Sequence, residues 1–241
     1  MYSLLEQSTS RCIETLKRRC CQRNTLAGRD VEVLGLSASE KYLGRKLCIE
    51  APTSTELEHR IAAAWATFMQ FKAELCNRHY PLQQRLRLFD ALVTPRACFA
   101  AAAWTMTESL EKQLRGAQRR MLRLMVCRRK HIEQDWATYM QQSTHELLRI
   151  MAAHQLKDWV CVQRIRKWRF ARATASRTDG RWSSRILTWK PKSHYGRSVG
   201  RPATRWCADL EHFLGEDWVQ LAIEDPKIFE LIEPAFIGRD V

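Results

Sequence analysis

The stretch Glu108-Ser109-Leu110-Glu111-Lys112-Gln113-Leu114-Arg115-Gly116-Ala117-Gln118-Arg119-Arg120-Met121-Leu122-Arg123-Leu124-Met125 has the clearest pattern in the chain. At about 100° per residue, Leu110, Leu114, Ala117, Met121, Leu124 and Met125 fall on one side of a helix. Lys112, Arg115, Arg119 and Arg123 fall in line on the opposite side. Thr105 and Glu108 have capping-box spacing, which places the helix start at that pair. Four stacked cations with no acid among them repel one another unless a polyanion or solvent screens them. The pattern alone leaves two readings open: a polyanion-binding surface, or a solvated basic face.

Two further helices are expected upstream. Thr55 and Glu58 form another capping-box pair, and Leu57, Ile61, Ala64, Phe68, Phe71 and Leu75 repeat at three- and four-residue intervals. This helix should stop before Pro81. The next starts near Leu82, with Leu86, Phe89 and Val93 inward and Arg85 and Arg87 outward. Pro95 should kink it by removing a backbone donor. Upstream again, Leu4 to Cys21 reads as a basic helix and Asn24 to Asp30 as a loop. Val31 to Leu34 is a short alternating strand, Gly35 to Ser39 a turn, and Lys41 to Ile49 the returning strand of a β-hairpin.

Downstream, Ser143 and Glu146 should start a helix that either continues or breaks near Ala153 and restarts at Asp158. Lys157, Arg164, Arg166, Lys167, Arg169 and Arg172 decorate it. From Gly180 to Ala208 there is no carboxylate. Cations including Arg181, Arg185, Arg201 and Arg205 alternate there with Trp182, Trp189, Tyr195 and Trp206. Gly and Pro residues make this stretch loop or extended backbone. Cations neutralise phosphates while aromatic faces stack on unpaired bases. The competing reading is a basic loop whose tryptophans pack on the helical body. Asp209 to Leu221 reads as a short helix, and the acidic tail from Glu224 as a weak helix or disorder.

The whole chain has 241 residues, 40 Lys+Arg against 26 Asp+Glu, and a formal charge of +14. Such a field draws polyanions, and nucleic acid is the expected partner. The cations are spread along the chain and not gathered beside an apolar anchor, so no membrane partner is expected. No signal peptide is visible, and the longest apolar stretch, Ala91 to Met106, is interrupted by Pro95 and Arg96. The chain therefore reads as intracellular, nuclear or cytoplasmic. Nine cysteines are present with no C-x-x-C pair, and His145, His154 and Cys161 match no zinc spacing, so no metal site is expected.

Glu40-Lys41-Tyr42-Leu43-Gly44-Arg45 resembles the K-Y-L-G signature near the end of the palm in reverse transcriptases of LINE-type, non-LTR retrotransposons. Further pieces follow in that family's order. Pro81 to Phe89 resembles its L-x-x-R-x-x-L-F thumb helix, Trp104 to Thr107 its W-T-L-T helix start, and Arg119 to Arg123 its R-R-M-L-R helix. Arg166 to Arg169 and Gly200 to Trp206 resemble the R-W and G-R-P-x-x-R-W elements that follow the thumb.

The resemblance implies a mainly α chain. Residues 1–50 would be a palm remnant with the hairpin, and 51–127 a three-helix, thumb-like bundle. A helical extension would occupy 128–175, and a basic, Trp-containing region with a short helix and tail 176–241. It implies a fragment that grips template and primer, whether RNA, DNA or their hybrid. Lys41, Tyr42, Gly44, Arg85, Arg87, Lys112, Arg115, Arg119, Arg123, Arg181, Trp182, Arg185, Arg201, Arg205 and Trp206 are the candidate contacts. The family's chemistry needs adjacent aspartates that hold two divalent ions, and no two aspartates are adjacent here. No catalytic residue and no cofactor is therefore expected in this chain. Magnesium belongs to a complete polymerase, whose palm and fingers would be a missing partner segment. The alternatives are a non-functional retroelement relic or a helical protein-interaction module.

Overall fold

The computed structural model describes residues 24–26, 29–31, 35–126, 130, 132–177, 179–188 and 204–239. The expected helix at Leu4 to Cys21, and Trp189, Tyr195 and Arg201, lie outside these residues. The chain forms two compact units, Met1–Glu56 and Leu57–Val241. It is mainly helical, with short antiparallel strands confined to the first unit.

In the first unit, β1 (Asn24–Leu26) pairs antiparallel with β2 (Arg29–Val31), where a loop was expected. A second hairpin joins β3 (Ser39–Tyr42) to β4 (Arg45–Cys48), with Tyr42 opposite Arg45. The sequence reading paired the wrong segments: Lys41 and Tyr42 end the outgoing strand, and Leu43-Gly44 is the turn. Both turn residues have positive φ, 47° and 81°. A two-residue turn of this hand needs left-handed backbone at both positions because it matches the strands' own twist. Glycine adopts that conformation freely, whereas Leu43 is strained. The buried Glu56 carboxylate accepts a hydrogen bond from the Lys46 backbone N–H.

Helix α1 (Pro52–Gln70) begins three residues before the expected cap at Thr55, with proline at its first position, where no donor is missed. A short α2 (Lys72–Leu75) follows, and α3 (Leu82–Ala97) carries Pro95 in its last turn. A 3-10 turn at Ala101–Ala103 leads to α4 (Glu108–Val126). The cap of α4 is Thr107 and not Thr105: its Oγ1 accepts from the Leu110 N–H at 3.4 Å. Helix α5 (Trp136–Ala153) is capped by Asp135, which accepts from the N–H groups of Ala137 and Thr138 at 2.9 and 3.2 Å. Ser143 therefore lies inside this helix and does not start it. The chain does break after Ala153 and restart at Asp158, whose carboxylate caps α6 (Trp159–Ala175). Helices α7 (Trp182–Thr188), α8 (Ala208–Leu214), α9 (Trp218–Glu224) and α10 (Pro226–Gly238) complete the chain. Among the described residues no helix is long and apolar enough to cross a membrane.

The second unit has two apolar clusters, and α6 contributes to both. In the first, Phe68, Phe89, Trp104, Leu114, Met121 and Trp159 are fully buried. The Phe89 and Trp159 rings stack at 5.9 Å. Gln118 locks α4 to the start of α6: its amide donates to the Lys157 carbonyl and accepts from the Trp159 N–H, both at 2.9 Å. On α4 it is Leu122 that faces inward, and Leu124 is exposed. In the second cluster, Trp168 stacks on Phe229 at 4.2 Å and lies 4.8 Å from Phe236. Of the two expectations for the acidic C-terminal segment, the structure shows the helix, packed through Phe229 and Phe236.

Candidate nucleic-acid interface

Helix α5 packs along α4 and leaves a groove of about 590 Å³ between them. Five of its nine lining residues are cations: Lys112, Arg115, Arg119, Arg120 and Arg123. They come from α4, where the spacing of three and four residues keeps them on neighbouring lines of the helix surface. The opposite wall is Trp136, Tyr139 and Met140 of α5, again at three- and four-residue spacing. The Asp135 cap fixes where α5 begins and hence where Trp136 stands. The Trp136 ring is 63% exposed, with the Tyr139 ring 5.7 Å away. No carboxylate lines the groove.

Carboxylates reach only one end of the cation row. Glu108 meets Lys112 at 2.5 Å, and Asp158 meets Arg115 at 3.5 Å. The row is therefore not wholly unrelieved, as its sequence suggested. Among the described residues no ion pair involves Arg119, Arg120 or Arg123. The Arg119 Nε is buried with no hydrogen-bond partner among them. Arg123 donates to the hydroxyls of Ser143 and Thr144 at 3.2 and 2.7 Å, which fixes its guanidinium across the two helices. Thr144 passes its own proton to the Met140 carbonyl, so its lone pairs are free to accept. Burial, and next the Arg119 charge, lower the Arg123 pKa. An anion in the groove would relieve that crowding, because opposite charge favours the ionised form.

The remaining candidates scatter. Lys41, Tyr42 and Gly44 lie at or beside the hairpin turn of the first unit, with Tyr42 exposed. Arg87 is exposed on α3. Arg85 was expected outward and is instead buried, donating to the carbonyls of Tyr80, Leu75 and Met125 at 3.1, 3.2 and 2.9 Å. Leu75 and Met125 sit in the last turns of α2 and α4, whose terminal carbonyls lack intrahelical partners and attract a cation. Trp182 does not lie on loop backbone as expected but opens helix α7. It is 73% exposed, with the Arg185 guanidinium 5.5 Å from its ring, and Arg181 pairs with Asp179 at 2.7 Å. Trp206 is packed: its indole donates to the Ala102 carbonyl at 2.8 Å, and Lys167 lies 4.9 Å from its ring. Arg205 meets Glu211 at 3.5 Å.

The expected decoration of α6 divides the same way. Arg164 and Lys167 are buried. Arg164 forms a two-point pair with Glu111 at 2.9 and 3.1 Å and donates to the Ile237 carbonyl. Lys167 meets Asp209 at 2.7 Å. Arg169 and Arg172 pair with Glu233 and Glu230 of α10. Arg120, Trp136 and Tyr139 were not among the sequence candidates. For Trp136 and Tyr139 the signal was an aspartate, Asp135, followed by two aromatics one helical turn apart.

The resemblance implies magnesium only for a complete polymerase. Among the described residues no group of three His, Cys, Asp or Glu side chains comes together to hold a metal ion.

No family model matches the chain. No solved structure matches it. Over 171 residues it is 30% identical to a putative uncharacterized transposon-derived protein of Caenorhabditis elegans. The chain is of transposon-related origin. The match covers 70% of the chain and about 57% of the length of that relative.

Proposed function

We propose that this chain is a nucleic-acid-holding part of a transposon's RNA-directed DNA polymerase, corresponding to the thumb and the region after it. One observation carries the reading: the α4–α5 groove gathers five cations and an exposed tryptophan with no carboxylate in its lining. The excess positive charge of the whole chain and the transposon-derived relative support it. The chain holds template and primer but does not join nucleotides, because no two aspartates are adjacent in it to hold the ions of the two-metal reaction. A palm and fingers segment would supply them.

The test is a mobility shift of labelled RNA–DNA hybrid and of labelled single strand by the purified protein at low salt, alongside primer extension with magnesium and nucleotides. A shift that weakens with added salt, without extension, is expected. No shift of either substrate would leave the chain a relic or a helical protein-interaction module. Extension by the pure protein would overturn the non-catalytic assignment.

A further inference from the structure

We propose that the α4–α5 groove is a site for one unpaired strand, with phosphates on Arg119, Arg120 and Arg123 and a base stacked on Trp136. This rests on the nucleic-acid reading above and narrows it to one groove and one form of ligand.

Three features favour an unpaired strand over a duplex. First, an aromatic face can stack only on a base whose own face is open, and duplex bases cover one another. Trp136 offers such a face: its ring is 63% exposed at the edge of the groove, where a large apolar surface is otherwise unfavourable. Second, the groove between the two packed helices has a volume of only about 590 Å³, which takes a short length of one strand and not the full width of a duplex. Third, the cations without an acid partner lie in a line along the groove. Arg119 and Arg123 are one turn apart, about 6 Å along the axis, with Arg120 exposed beside them. None of the three has an acid partner among the described residues. Phosphate oxygens would pair with the Arg119 guanidinium where it lines the groove and offset the positive field that Arg123 already feels. Met140 gives the floor apolar surface suited to a sugar or base edge.

The test uses the full chain and two fluorescent probes of equal length, an oligothymidine single strand and a blunt DNA duplex, followed by anisotropy. Wild type, Trp136→Ala, Trp136→Phe and Arg120→Gln are compared after thermal melts confirm that they fold alike, as the exposure of both side chains leads one to expect. Trp136→Ala should weaken single-strand binding about 5- to 150-fold, the range set by one stacked base. Duplex binding should stay within about twofold, and Trp136→Phe should restore most of the loss. Arg120→Gln should weaken single-strand binding and lower its salt dependence by about 0.7 in log–log slope, the value for one phosphate. Undiminished single-strand binding by Trp136→Ala, or an equal loss on both probes, overturns the groove site while leaving nucleic-acid binding intact. Wild type that binds duplex but not single strand does the same. Wild type that binds neither removes both proposals.

Discussion

Arg85 shows how a single arginine can be misassigned from spacing. Its position on α3 put it beside Arg87 and away from Leu86, yet its stem runs inward and its guanidinium meets three carbonyls. The spacing gave the helix face but not the nearby helix ends, which only the tertiary fold brings there. Arg85→Met should lower stability by about 3 kcal/mol in urea unfolding, because three carbonyls lose a charged donor in a buried place. Arg120→Gln, on an exposed position, should stay within about 0.5 kcal/mol. If Arg85→Met unfolded like wild type, the three bonds would contribute nothing.

Cys98 offers a pH test at the same scale. Burial pushes its thiol up to about 12 from an ordinary value of 9.0. Between those values the unfolded thiol has lost its proton and the folded one keeps it, so the unfolded state binds fewer protons and stability falls as pH rises. Below pH 9 the group has almost no effect. From pH 8 to pH 10, wild type should lose on the order of 1 kcal/mol more stability than Cys98→Ala, measured by urea unfolding of both at each pH. Parallel losses would mean that the thiol is not shielded in solution.

The helices of the first apolar cluster were legible because Phe68, Phe89, Leu114 and Met121 recur at helical period, and periodicity is what burial imposes. Their starts were less so. Thr55, Thr105 and Ser143 all had capping spacing, but the first helix starts at Pro52 and the other two caps are Thr107 and Asp135, because Ser and Thr also serve inside helices and in turns. Helix α10 was underestimated for another reason. Its acids suggested a weak helix or disorder, while Phe229, Ile232 and Phe236 already marked one face. What stabilises it is Trp168 and the cations of α6, more than 50 residues away in sequence. Phe229→Ala should therefore cost about 3–5 kcal/mol and speed proteolysis near the C-terminus. Glu230→Gln, which removes an exposed pair, should cost under about 1 kcal/mol. Equal effects from the two would show that charge and not ring packing holds α10.

For the molecule as a whole, net charge said that a polyanion partner was expected but not where it binds. The charge is sorted by folding. Carboxylates of α4, α8 and α10 take up the cations of α6: Glu111 holds Arg164, Asp209 holds Lys167, and Glu230 and Glu233 hold Arg172 and Arg169. Among the described residues Arg119, Arg120 and Arg123 have no such partner, and the groove they line is where the excess positive charge meets an exposed ring. The row on α4 was visible in the sequence, but which of its members lack an acid partner depended on Glu108 one turn away in the same helix and on Asp158 at the start of α6. The most direct measurement is the affinity of the intact chain for a labelled single strand across a series of salt concentrations. Three phosphate contacts at the free arginines should give a log–log slope of about −2 or steeper. A flat line, or no binding at the lowest salt, would contradict the claim that this groove holds nucleic acid.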